Sequence, residues 1–188
     1  MRHKYDTRAI VLARTSAGEA NASLTLVTPE LGLVRARAQG LRRSGAKLAP
    51  ALVTFAESDV VLVHGKEFWR LAGAVLAQNR FQALARAARE RAARFVGLLL
   101  RLAPGESQDA RLYELVAAYL EALAALQEEE QDAAEIVAAL ALLSALGLDA
   151  GDPSGKEWQF SPETLARVRA DRTVLVARIN HGIAASGL

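Results

Sequence analysis

Apolar and polar positions follow two different periods along the chain, and the change comes near Asn79. Upstream the runs are short and β-like. After Leu33 the segment 32–40 alternates, setting Val34, Ala36 and Ala38 on one face and Arg35, Arg37 and Gln39 on the other. Thr7 to Ala13, Leu24 to Thr28 (closed by Pro29), Val60 to Val63 (ended by His64-Gly65-Lys66) and Phe68 to Val75 are four further strand candidates. Apart from Gly73, glycine and proline sit between these runs rather than inside them. Five short strands in about 80 residues predict a small Greek-key barrel, and the five-stranded oligonucleotide-binding (OB) fold has that size.

Downstream the period is helical. Phe81, Leu84, Ala85, Ala88, Ala92, Phe95, Val96 and Leu99 share one face, with Arg86, Glu90, Arg94 and Arg101 opposite, and Pro104-Gly105 stops the helix. Leu112, Leu115, Val116, Tyr119, Leu123 and Leu126 form the face of a second helix. The polar stretch 127–132 reads as a break between helices. Ala133 to Leu146 is apolar nearly all round, so it is expected at the centre of a bundle with Leu140, Leu143 and Leu146 in the core. Gly147 ends it, residues 149–160 read as a loop, and Ser161-Pro162-Glu163 is a helix start for one or two last helices. The predicted fold class is therefore α+β, with an OB-fold barrel over residues 1–78 and an all-α helical domain over 79–188.

Composition narrows the chemistry. The 188 residues are 52% hydrophobic, enough for a substantial core, and include no cysteine. That excludes disulfides, thiolate catalysis and Cys-ligated zinc. Three histidines, His3, His64 and His181, are too scattered for a metal site, so none is expected. The polar N-terminus lacks a signal-peptide core, and the longest apolar run, Ile136 to Leu146, is about half a bilayer span. A soluble cytoplasmic protein is expected, with no membrane partner. No phosphate-cradling glycine loop, zinc helix or nucleophile elbow occurs, so no catalytic residue, cofactor or enzymatic activity is assigned. His64 reads as a turn residue, His181 as a helix-end residue and Glu128 to Glu130 as a solvated turn.

A near-neutral total hides a strong charge asymmetry. Residues 1–50 hold nine Lys and Arg against three Asp and Glu, whereas residues 102–152 hold one against eleven. Such a basic part points towards a polyanion. Arg35, Arg37, Arg42, Arg43 and Lys47 fall within thirteen residues and are the candidate phosphate contacts, with Arg8 and Arg14 as secondary candidates on the first strand. A second set, Arg80, Arg86, Arg89, Arg91, Arg94 and Arg101, is spread round one helix and reads first as an ordinary solvated face. Tyr5 and Phe55 are the only aromatic residues before Phe68-Trp69, so base stacking is expected to be sparse.

Three stretches carry a family resemblance. Thr7 to Leu12, Gly18 to Asn21 with Leu24 to Leu33, and Ala38 to Leu48 with its basic loop resemble, in order and spacing, the opening of the bacterial RecO-type recombination mediators. The resemblance covers about residues 6–76 and continues more loosely over the helices. It implies an OB-fold barrel followed by a helical domain, working in the cytoplasm at the nucleoid. It also implies binding of single- and double-stranded DNA, annealing of complementary strands, and help in loading the RecA recombinase with a RecR-type partner. A further implied partner is the acidic C-terminal tail of single-strand-binding protein, met through the helical domain. Arg167, Arg169, Arg172 and Arg178 are the cations expected to edge a pocket for it. The chain departs from the family in lacking the four-cysteine zinc module, whose remnant is expected within residues 147–160. It is also shorter than typical members, so a trimmed helical domain is expected. Asn21 stands where an aspartate is common. The alternative is an OB-fold adaptor whose basic loop meets an acidic partner peptide.

Overall fold

The computed structural model describes residues 4–41, 45–65, 68–103, 106, 109–149 and 159–187. It divides into two compact units, residues 1–83 with 105–114, and 84–104 with 115–188.

In the first unit, strands β1 (Lys4–Ser16), β2 (Ala22–Thr28), β3 (Gly32–Ala38), β4 (Ala56–His64) and β5 (Trp69–Asn79) close into a ring in the order β1-β2-β3-β5-β4. All neighbours are antiparallel except β3 and β5, which meet in parallel over Ala36/Trp69 and Arg37/Arg70. A closed five-stranded ring sealed by one short parallel seam is the OB-fold arrangement. Val34, Ala36 and Ala38 are buried while Arg35, Arg37 and Gln39 are exposed, as the alternation requires. Leu24, Leu26, Leu52 and Leu62 are fully buried in the barrel core, each contributing about 1.5–3 kcal/mol of burial.

β1, β4 and β5 run longer than their apolar cores suggest. Register shifts between Val11 and Ala13, Glu57 and Ser58, and Val61 and Leu62 break the period-two pattern while pairing continues. Beyond the β1 bulge, the buried Phe55 takes a left-handed backbone (φ 64°) and its N–H donates to the Val11 carbonyl at 2.8 Å. A 3-10 turn over Ala49–Leu52 lies between β3 and β4.

The helices are α1 (Arg80–Ala83), α2 (Arg86–Leu102), α3 (Arg111–Ala125), α4 (Glu128–Ala145), α5 (Pro162–Ala170) and α6 (Arg172–Ala185). The single helix expected from Phe81 is interrupted, because Ala85 is extended and starts α2 afresh. Phe81 is accordingly exposed rather than part of the core face. In the second unit α4 packs against α2, α5 and α6, with Leu140 and Leu143 fully buried. Two expectations are corrected here. The polar stretch 128–132 is the first turn of α4 rather than a break, because three glutamates there favour the positive helix end. Within it, Gln131 is buried, and its Nε2 donates to the Leu123 and Leu126 carbonyls at the end of α3. Leu146 is half-buried and caps α4 instead of joining the core. At the other start, the Ser161 hydroxyl accepts from the Thr164 N–H at 3.2 Å, with Pro162 following.

Candidate nucleic-acid interface

Register brings together outward-facing residues that are far apart in sequence. Thr15 faces Ser23, Ser23 faces Arg37, and Arg37 faces Arg70, a single row across β1, β2, β3 and β5. Arg35 lies on the same face of β3, opposite Thr25. Arg35, Arg37 and Arg70 are exposed, and none has a carboxylate within ion-pair distance among the described residues. The Arg37 guanidinium lies over the Phe68 ring, Cζ 3.8 Å from its centroid. Arg70 and Phe68 are site residues that sequence reasoning missed. Their signal is non-local, since only the β3/β5 seam sets them beside Arg37.

The loop that follows β3 is anchored by Asn21, whose Oδ1 accepts the Gly40 N–H at 3.0 Å. Gly40 has φ 68°, a conformation glycine takes without strain, and the chain turns out of the sheet there. An aspartate oxygen at this position could accept the same bond. Arg42 and Arg43 lie outside the described residues. Lys47 is exposed in the turn before Ala49 and has no carboxylate partner among the described residues.

The two candidates on β1 are placed differently. Arg14 pairs with the buried Leu24, so it has the opposite parity to Thr15 and does not share the Arg35–Arg37 face. It lines a shallow depression of about 340 Å³ with Ser16, Val53 and Thr54. Arg8 is committed to carboxylates: its Nε donates to Asp59 Oδ1 at 2.9 Å, and Nη1 lies 3.7 Å from Glu57. Glu57 is buried and also accepts from Arg80 Nε at 2.8 Å and from the Tyr113 hydroxyl at 2.9 Å. Burial, then the Glu57 carboxylate, pushes the Tyr113 phenol from 10.0 up to about 12. This node pairs both Arg8 and Arg80 with carboxylates.

In the helical unit most described arginines are likewise occupied. Arg91 and Arg94 both bind Glu135 at 2.7 Å, and Arg86 pairs with Glu90 one turn on at 3.1 Å. Of the four cations proposed for a protein tail, Arg172 holds Asp132 at 2.8 and 3.2 Å, and that bond keeps the Asp132 carboxyl below its usual range. Arg178 grips Asp149, whose side chain is only 2% exposed. Arg167 and Arg169 are exposed on α5. A depression of about 310 Å³ has Ile136, Ala139 and Ile179 with Arg91, Arg94 and Arg172 in its lining, and Asp132 and Glu135 share it. No cluster of three or more His, Asp or Glu side chains suited to a metal occurs among the described residues. Residues 150–158, most of the stretch where a zinc-module remnant was expected, lie outside them.

Residues 1–80 match the family model for the N-terminal domain of recombination protein O. Over these residues the chain is similar to the N-terminal domain of the RecO family. Curated relatives extend the similarity into the helices. The chain is 32% identical over 122 residues to the DNA repair protein RecO of Dehalococcoides mccartyi strain 195, covering 64% of this chain and 48% of that protein. It is 32% identical over 145 residues to DNA repair protein RecO of Gloeobacter violaceus, covering 76% and 55%. Against that of Synechococcus elongatus it is 41% identical over 71 residues, 38% of this chain and 27% of the relative. The matched stretch thus spans about half the length of the first two RecO relatives. The stretch that matches the RecO model and the cationic row lie on the same barrel.

Proposed function

We propose that the chain is a DNA-binding recombination mediator of DNA repair that anneals complementary strands. The observation that carries this is the row of exposed, carboxylate-free cations Arg35, Arg37 and Arg70 on a RecO-type barrel. Annealing breaks and makes no covalent bond. It needs two polyanions brought together with their bases left free to pair, and non-specific phosphate contacts supply that. Arg42, Arg43 and Lys47 extend the patch in this proposal. Help in loading a recombinase, a RecR-type partner and work at the nucleoid in the cytoplasm belong to the same proposal, and rest on the resemblance to the RecO family. No described helix is long and apolar enough to cross a membrane. The acidic tail of a single-strand-binding protein is a further proposed partner. Arg169, exposed on α5, is its better anchor, since Arg172 and Arg178 are held by Asp132 and Asp149.

The test is a fluorescence assay of annealing between complementary oligonucleotides, run beside a salt titration of binding to oligonucleotide and to an acidic peptide. Accelerated annealing and steeply salt-dependent oligonucleotide binding support the proposal. Tight peptide binding with no oligonucleotide binding would make the barrel a protein adaptor instead.

A further inference from the structure

The cations of the row do not all present the same chemistry. Arg35 is an exposed guanidinium on a strand, opposite Thr25. Arg37 is laid flat on the Phe68 ring at 3.8 Å. Phe68 is itself fixed. The Gly65 N–H donates to the Phe68 carbonyl at 3.1 Å, and a Cβ on Gly65 would stand 2.6 Å from that oxygen, so the backbones of Gly65 and Phe68 meet as closely as glycine allows. The next residue, Trp69, is buried in the barrel with the Tyr5 and His64 rings edge-on at 5.2 and 4.6 Å. Ring and guanidinium are thus held by an anchored backbone, whereas an isolated surface arginine samples many rotamers. A guanidinium plane stacks on a nucleobase as well as on an aromatic ring. Arg37 is exposed and carries no carboxylate, and Arg70 stands beside it to hold phosphate.

We propose that Arg37, flattened by Phe68, is a stacking plate for an unpaired nucleobase, so that this face grips single-stranded nucleic acid by base as well as by phosphate. The inference rests on the DNA-binding proposal above and specifies how that site takes a strand. Lysine at position 37 keeps the charge and loses the plane. Leucine at position 68 keeps bulk and loses the ring.

The experiment compares the full chain's affinity for a short oligothymidine with that for an abasic oligonucleotide of equal length and charge. The unmodified protein should prefer the base-bearing strand about tenfold. Arg37→Lys and Phe68→Leu should bring that ratio close to one by weakening the base-bearing strand more than the abasic one, and Arg86→Lys, at a residue paired with Glu90 on α2, should alter neither. Circular dichroism checks that each variant is folded; if Phe68→Leu is not, Arg37→Lys alone decides. Equal binding of both strands by the unmodified protein, or a ratio preserved in Arg37→Lys, would overturn the stacking plate and leave phosphate binding standing. Binding of neither strand would remove the DNA-binding reading and this inference with it.

Discussion

The barrel face around β3 and the helical surface around α2, α4 and α6 are both rich in arginine, yet they differ in what the arginines touch. On the barrel face Arg35, Arg37 and Arg70 stand exposed among Ser23, Thr25 and a phenylalanine ring. On the helices Arg91, Arg94, Arg172 and Arg178 each hold an aspartate or glutamate at 2.6–2.8 Å. A cation already bound to a carboxylate must break that pair before it meets phosphate, and the exchange returns little. An unpaired cation releases counterions outright. Available charge, not counted charge, decides where a polyanion goes.

The comparison sharpens first through stability. Leu140 is fully buried at the centre of α4, and Leu140→Ala should cost about 2–5 kcal/mol in urea unfolding. Oligonucleotide affinity of the folded fraction should be unchanged. Arg178→Ala comes next. It leaves the nearly buried Asp149 carboxylate without its guanidinium and should cost about 1–3 kcal/mol, less than a fully buried pair because Arg178 is one-third exposed. The barrel counterpart, Arg35→Ala, should change stability by no more than about 0.5 kcal/mol while weakening DNA binding. A stability loss at Arg35 matching that at Arg178 would erase the distinction between the two faces.

Smaller effects follow from titration. Arg172→Ala should lower stability only slightly, since solvent screens this exposed pair. Asp132 is held below its usual range by Arg172, so this contribution is present above the unfolded carboxylate pKa and vanishes as pH falls through the folded one. Urea midpoints of variant and parent should therefore converge in acid. Tyr113 has the opposite sign. Its phenol is raised from 10.0 to about 12, so the stability it confers is full below pH 10 and fades as pH rises towards 12. Tyr113→Phe should flatten that alkaline loss, read as urea midpoint against pH.

Much of this was legible from residue pattern because it is local. The alternation over Val34 to Ala38 set the cations of β3 outward, and the nearly all-round apolar surface of Ala133 to Leu146 marked the bundle centre. What the pattern missed is non-local or irregular. The bulges in β1 and β5 let strands continue past the point where alternation fails. The extended backbone at Ala85 breaks a helical period that the side chains alone sustain. Arg70 and Phe68 reach Arg37 only through the β3/β5 seam, more than thirty residues away in sequence. Arg8 and Arg14 are secondary candidates by sequence; pairing across the sheet ties one to Asp59 and turns the other aside. The ion pairs of Arg94 and Arg172 likewise span about forty residues, which no local pattern reveals.

The salt dependence of single-strand binding tests the central claim most directly. Log affinity against log salt is measured for the unmodified chain, for Arg35→Ala/Arg37→Ala/Arg70→Ala, and for Arg94→Ala/Arg172→Ala. Each single-strand phosphate contact contributes about 0.7 to the slope, so the barrel variant should lose about two units of slope and bind more than tenfold more weakly. The helical variant should retain both slope and affinity. A helical variant that loses slope while the barrel variant keeps it would contradict the account and move the nucleic-acid surface to the arginines that carboxylates now hold.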